Sequence, residues 1–258
     1  MKKALCLEHA FENLPLFDRF AKAREAGFGH VELGGWTELD LSMVTEQLDS
    51  NSLALSCISG LNRFSPSDPE RREAFLEFLS QSLAVAKSFS CPAIVVASEA
   101  KLHEQAGFGL DRKKDFAGVS TTIRTLMDAA DQAEKSGVTL LVTPLPDTME
   151  SESASLRGIP SAGDVVRVVN SPALRLLYRL DTCGMSQTEL ADNMRKYRDV
   201  TGYVRIGEGV VLSSGKRGVD LPSVRKALAD ELRYDGIVGF AAGGGNREEE
   251  CIEMIQTC

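Results

Sequence analysis

Short runs of β-branched or apolar residues alternate with longer amphipathic runs along the whole chain, a pattern that demands crossover connections and a parallel sheet. The strand-like runs are KALCLE (3–8), HVELG (30–34), LALSCI (53–58), AIVVAS (93–98), VTLLVT (138–143), LRLLYRLD (174–181), GYVRIG (202–207) and GIVGFA (236–241). Between and after them the periodicity predicts helices near 15–26, 41–50, 68–89, 115–136, 161–170, 187–198, 221–233 and 246–257. Pro15 suits a first helical turn, and Gly27 and Gly137 fall where a helix must stop and hand over to a strand. Ser67, Asp68, Pro69 and Glu70 read as a capped helix start.

Eight strand–helix units in succession, without a linker or low-complexity tract, predict one α/β domain over residues 1–258. The favoured architecture is a closed (β/α)8 TIM barrel, and an open doubly wound sheet is the alternative. A chain of 258 residues with 43% hydrophobic and 26% charged positions suits that size.

Composition narrows the function classes. A net charge of -8 and the lack of a basic stripe argue against a nucleic-acid partner, which needs clustered Lys and Arg. The opening MKKALCLEHAF is broken by Glu8 and His9 before it reaches the length of a signal-peptide core. Nothing approaches the roughly 18 apolar residues of a membrane span, so the expectation is a cytoplasmic protein with no membrane partner. Cys6, Cys57, Cys91, Cys183, Cys251 and Cys258 form no CxxC pair, which excludes a zinc knuckle or redox dithiol of that type.

In a barrel of this kind, chemistry sits at the carboxyl ends of the strands and on the loops that follow. That rule selects Glu8, His9, Glu32, Ser59, Glu99, Thr143, Asp181, Arg205 and the segment after Phe240. The longest connections, 100–114, 144–160 and 208–220, read as lids or substrate walls.

The segments LFDRFAKAREAGFGHVEL, RLDTCGMSQ, GYVRIGE and YDGIVGF, in that order and spacing, resemble the xylose-isomerase-like barrels and within them the hydroxypyruvate isomerase branch. The resemblance implies interconversion of a hydroxy-aldehyde and a hydroxy-ketone. In that family a divalent metal stabilises the enediolate and two glutamates move the proton. By the same resemblance the two glutamate positions fall at Thr143 and Ala241, neither able to act as a base. Asp181 retains an aspartate ligand, the histidine three residues later falls at Gly184, the seventh strand's His-x-Gln becomes Tyr203 and Arg205, and the fourth strand's histidine falls at Val95. Asp181 is thus the one retained family ligand, and no cofactor is predicted.

An Asp181 to Arg205 ion pair, with the guanidinium in the volume of the ion, is one reading of these replacements; a pair that serves packing alone is the other. Glu32 resembles a glutamate that lines the pocket in this family, set against a structural salt bridge. Glu99 is the candidate substitute base, set against a solvated loop charge, and His103 in the polar loop after it has the same two readings. Strand alternation lets only one of Glu8 and His9 face the rim, and Glu8 is the one retained as a substrate contact. Gly243, Gly244 and Gly245 before the last helix read either as a flexible glycine connection, since no full phosphate signature is present, or as an anion site with Lys216 and Arg217 as counter-charges. The run Glu248, Glu249 and Glu250 opens that helix, and Cys57 and Cys183 lack a histidine to activate them.

Three functions follow as expectations. The favoured one is a barrel without the family's metal centre that binds a small sugar or hydroxy acid, with Glu8, Thr143, Tyr203, Lys216, Arg217, Gly243, Gly244 and Gly245 as the candidate contacts. The second is a metal-free isomerase or epimerase in which Arg205 stabilises an enediolate and Glu99, Glu32 or Asp181 moves the proton, these four being the candidate catalytic residues. The third is metal-dependent isomerisation with displaced ligands. DNA-repair endonucleases of the same fold use a histidine-rich metal cluster, and this chain has three histidines, His9, His30 and His103.

Overall fold

In the computed structural model the described residues are 1–59, 64–97, 113–144, 158–180, 186–212, 219–243 and 246–257. In chain order they form β1 (Lys2–Cys6), a 3-10 turn (Leu7–His9), α1 (Leu16–Glu25), β2 (His30–Leu33), α2 (Leu41–Ser50), β3 (Ala54–Ser59), α3 (Arg72–Ser88) and β4 (Ala93–Ala97). Then follow α4 (Lys113–Ser136), β5 (Thr139–Thr143), α5 (Gly158–Val169), β6 (Leu174–Leu180), α6 (Gln187–Tyr197) and β7 (Thr201–Gly207). The short α7 (Glu208–Val211), α8 (Leu221–Ala227), a π-helical turn (Leu228–Leu232), β8 (Ile237–Ala241) and α9 (Glu248–Thr257) complete the order. The sheet is a closed barrel in sequence order, as expected of a (β/α)8 chain. Closure is made by β1, which pairs in parallel with β2 through Leu5 and Val31 and with β8 through Ala4 and Gly239.

Backbone packing divides the chain into two compact units, Met1–Ser56 with Tyr178–Cys258, and Cys57–Leu177. In the first, strand alternation sends Leu5, Val31, Val204, Val238 and Phe240 to the side where Phe20, Val44 and Tyr197 are buried. The other side of the same strands carries Cys6, Glu32, Tyr203, Arg205 and Gly239. In the second unit β4 pairs with β5 and β5 with the start of β6, and α3 packs on α4 around Phe75, Leu79, Ile94, Val96, Leu126, Leu140 and Leu174.

Gly27 and Gly137 take φ of +88° and +69°, the left-handed geometry that a helix stop before a strand requires. Several boundaries differ from the pattern-based expectation. The first strand stops at Cys6 and the chain turns through Leu7–His9, so the alternation argument for Glu8 and His9 does not apply. Asp68 makes a turn instead of a helix start: its Oδ1 accepts from the Glu70 backbone N–H at 3.0 Å, and α3 begins at Arg72. The 208–220 connection, expected as loop, opens with α7.

Candidate functional site

Three strands of the first unit aim polar groups at one point. Glu32 is the penultimate residue of β2 and is 1% exposed. Its Oε2 lies 2.5 Å from Nη2 of Arg205 on β7. Its Oε1 accepts from the Tyr203 hydroxyl at 2.8 Å. That hydroxyl also lies 3.0 Å from Ser56 Oγ on β3, and the Ser56 hydroxyl donates to the Val31 carbonyl at 3.2 Å.

Tyr203 and Arg205 stand two apart and therefore on the same side of β7, which is why one carboxylate meets both. Burial of a lone carboxylate is prohibitive, so the guanidinium and the phenol are what make Glu32 tolerable at that depth. Oε1 of Glu32 is thus held by a hydrogen bond, whereas Oε2 faces Arg205 as an ion pair with no hydrogen bond to it among the described residues.

Space for the carboxylate comes from β8. A Cβ at Gly239 would stand 1.6 Å from Glu32 Oε1 and 3.0 Å from the Tyr203 hydroxyl. A glycine within a strand marks such a close approach. The same device recurs at Gly34, where a Cβ would lie 1.4 Å from the Glu8 carboxylate. Cys6, at the end of β1, senses this polar cluster: burial first, then Glu32 and Glu8, push its thiol up to about 12, against opposing pulls from Arg205 and the Glu8 backbone N–H.

The glycine segment after β8 has acidic surroundings. Gly243 has φ +72°, and a Cβ there would lie 2.1 Å from Glu208 Oε2 at the start of α7. Glu248 accepts from the Phe11 backbone N–H, and Arg247 is held by Glu250 at 2.7 and 2.9 Å. The Glu208 carboxylate at Gly243 weighs against an anion there, because two like charges would share the space. Glu248–Glu250 open α9, as the sequence suggests.

Among the expected site residues, Glu32, Tyr203 and Arg205 come together, and Glu8 sits near Cys6 with its carboxylate against Gly34. Thr143 ends β5 in the second unit, with a buried Oγ1 that has no hydrogen-bond partner among the described residues. Asp181, Glu99, Lys216, Arg217, Gly244 and Gly245 lie outside the described residues, as do His103, Cys183 and Gly184. The Arg205 partner in view is Glu32, where the sequence reading paired it with Asp181. Sequence reasoning passed over Ser56, Cys6, Gly34 and Gly239. Gly239 within GIVGFA and the hydroxyl within LALSCI were the signals available for two of them.

The comparisons with known proteins agree on the architecture. A family model described as xylose isomerase-like TIM barrel matches residues 20–256. An AP endonuclease, family 2, from Brucella melitensis has a similar fold (TM-score 0.81, 23% identity, 96% of each chain covered). A 3-keto-D-glucoside 4-epimerase from E. coli gives a TM-score of 0.77 at 16% identity over 94% of each chain. D-Psicose 3-epimerase from Clostridium cellulolyticum H10, solved with D-tagatose, gives 0.75 at 14% identity over 100% of this chain and 98% of that one. No curated protein matches the chain in sequence. No helix among the described residues is long and apolar enough to cross a membrane. The eight parallel strands in closed order and a family match over nearly the whole length carry one conclusion: the chain belongs to the xylose isomerase-like TIM barrel family.

Proposed function

We propose that this barrel binds a small hydroxylated or carboxylated metabolite, of the ketose or hydroxy-acid class, at a strand-end site in which Arg205 takes the place of the family's metal centre. The observation that carries this reading is the 2.5 Å pair between Arg205 and the buried Glu32. In the first unit, the positions where the hydroxypyruvate isomerase resemblance implies ligands and a glutamate are Tyr203, Arg205 and Ala241. Such a set offers a hydroxyl group, a cation and an apolar side chain. Hard divalent ions prefer several oxygen donors, and a guanidinium among them repels a cation, so this set does not fit the family's metal.

A guanidinium fork suits a carboxylate or a vicinal oxygen pair, and in a site shielded from water it stabilises negative charge on oxygen. The epimerases of similar fold, one of them solved with D-tagatose, support small polyhydroxy ketoses as the class to try first. Net charge of -8 disfavours the nucleic-acid alternative that the endonuclease likeness raises.

The test is a panel of small ketoses and 2-hydroxy acids offered in deuterated buffer with chelator, followed by NMR and thermal shift. Stabilisation by a panel member without deuterium uptake, lost in Arg205→Lys, is the expected result. Uptake beside the carbonyl in chelator would move the assignment to a metal-free isomerase or epimerase. Turnover that needs an added divalent metal would overturn the proposal.

A further inference from the structure

The turn that ends β1 brings three different donor types together. Sγ of Cys6, a carboxylate oxygen of Glu8 and a ring nitrogen of His9 all lie within 4.8 Å of one another. Cys6 is buried, whereas Glu8 and His9 are exposed. This grouping exists because the chain leaves the strand after Cys6 and winds into a 3-10 turn; continued alternation would have sent Glu8 and His9 to opposite faces.

Gly34 leaves an open place for the Glu8 carboxylate, since a Cβ there would stand 1.4 Å from its Cδ. Glu12 Oε1 lies 4.0 Å from His9 Nδ1, too long for a hydrogen bond.

The geometry points to a site for one borderline-soft divalent cation, of the zinc or cobalt class, built from Cys6, Glu8 and His9 with a fourth position left to water or a ligand. Sulfur, nitrogen and oxygen donors in a set of three are the pattern that such ions select over magnesium or calcium. In a tetrahedral shell with bonds of about 2.0–2.3 Å the donors stand roughly 3.3–3.8 Å apart, so the two exposed side chains need shift by only about an ångström. Charge balances as well. Glu32 and Arg205 neutralise each other, and a divalent ion matches the Glu8 carboxylate plus the Cys6 thiolate. As the sulfur–metal bond forms, the thiol proton leaves to solvent. Of its three ligands Glu8 is also a candidate substrate contact, while Cys6 and His9 are not, so a site tested through Cys6 and His9 stands or falls separately from the proposed function.

Cobalt(II) titration of the chelator-treated full-length protein provides the test, because a thiolate–cobalt bond produces a near-ultraviolet charge-transfer absorption that oxygen and nitrogen ligands do not. The expected result is a saturable band at one equivalent, absent in Cys6→Ser and shifted to at least about tenfold weaker binding in His9→Ala. No band in the wild type, or a band that persists in Cys6→Ser, would overturn the site. Should Cys6→Ser fail to fold, His9→Ala decides alone, since that side chain is exposed: unchanged cobalt affinity in this variant overturns the site and a tenfold loss supports it. A cation held by oxygen ligands near Asp181 would leave the near ultraviolet silent, so the two centres cannot be confused.

Discussion

The carboxylate of Glu32 occupies the space beside Gly239 that any side chain at that position would claim, with only 1.6 Å between Glu32 Oε1 and the place of a Cβ. Strand β8 therefore contributes to the polar cluster by what it omits. Tyr203 shares the cleared space, its hydroxyl 3.0 Å from the same point.

Gly239→Ala should accordingly destabilise the protein by about 1–3 kcal/mol, the usual range for an overpacked interior. Urea denaturation measures the loss. A companion Gly29→Ala substitution, which would place its Cβ with nothing within 4 Å, should cost much less. Equal losses would mean that the space around Glu32 adapts freely.

Legibility in the sequence followed the physics of each feature. The eight strands were visible because alternation of apolar runs and amphipathic stretches is a local property, and Gly27 and Gly137 announced their helix stops for the same reason. The site was visible only in part. Glu32, Tyr203 and Arg205 were each recognisable as strand-end polar residues, but their convergence depends on β2 and β7 directing side chains to one point across intervening strands, which no local pattern encodes. The turn at Leu7–His9 was hidden because KALCLE continues to look like a strand past Cys6. Glu208 beside Gly243 is a meeting of two separate strand ends, and a glycine run read alone suggested an anion instead.

Burial is the leading cause that raises the thiols of Cys6 and Cys251 from 9.0 to about 12. A thiol whose folded value lies above its unfolded one binds its proton more tightly in the native state, so the associated stability is complete below pH 9 and is lost as pH climbs toward 12. Denaturation midpoints taken in chelator from pH 8 upward should fall more steeply for the wild type than for Cys251→Ala, which removes one of the two titrations. Parallel curves for the two proteins would contradict the assignment.

Gly243 combines a φ of +72° with a Glu208 oxygen 2.1 Å from the position of its missing Cβ. Gly243→Ala must bear both left-handed strain and displacement of the carboxylate, and a loss of at least about 1 kcal/mol is expected. In the background of Glu208→Ala the second contribution disappears, so the same substitution should cost less there. Thermal melts of the four proteins would reveal this; an identical penalty in both backgrounds would show that Glu208 does not restrict Gly243.

The Glu32 and Arg205 pair makes the sharpest quantitative case, because a buried ion pair gains little over apolar packing yet is costly to break from one side. Glu32→Gln removes the carboxylate charge that faces Arg205 among the described residues, and Arg205→Met removes the guanidinium from a carboxylate at 1% exposure that keeps its bond from the Tyr203 hydroxyl. Each single substitution should cost about 3–5 kcal/mol. The double variant removes both charges of the pair and should be more stable than the sum of the singles predicts, by an interaction energy of about 1–3 kcal/mol. Equilibrium denaturation of the wild type, both singles and the double closes the cycle. Additive losses would mean that the 2.5 Å contact carries no coupling, and the proposal that Arg205 is held by Glu32 for ligand binding would lose its foundation.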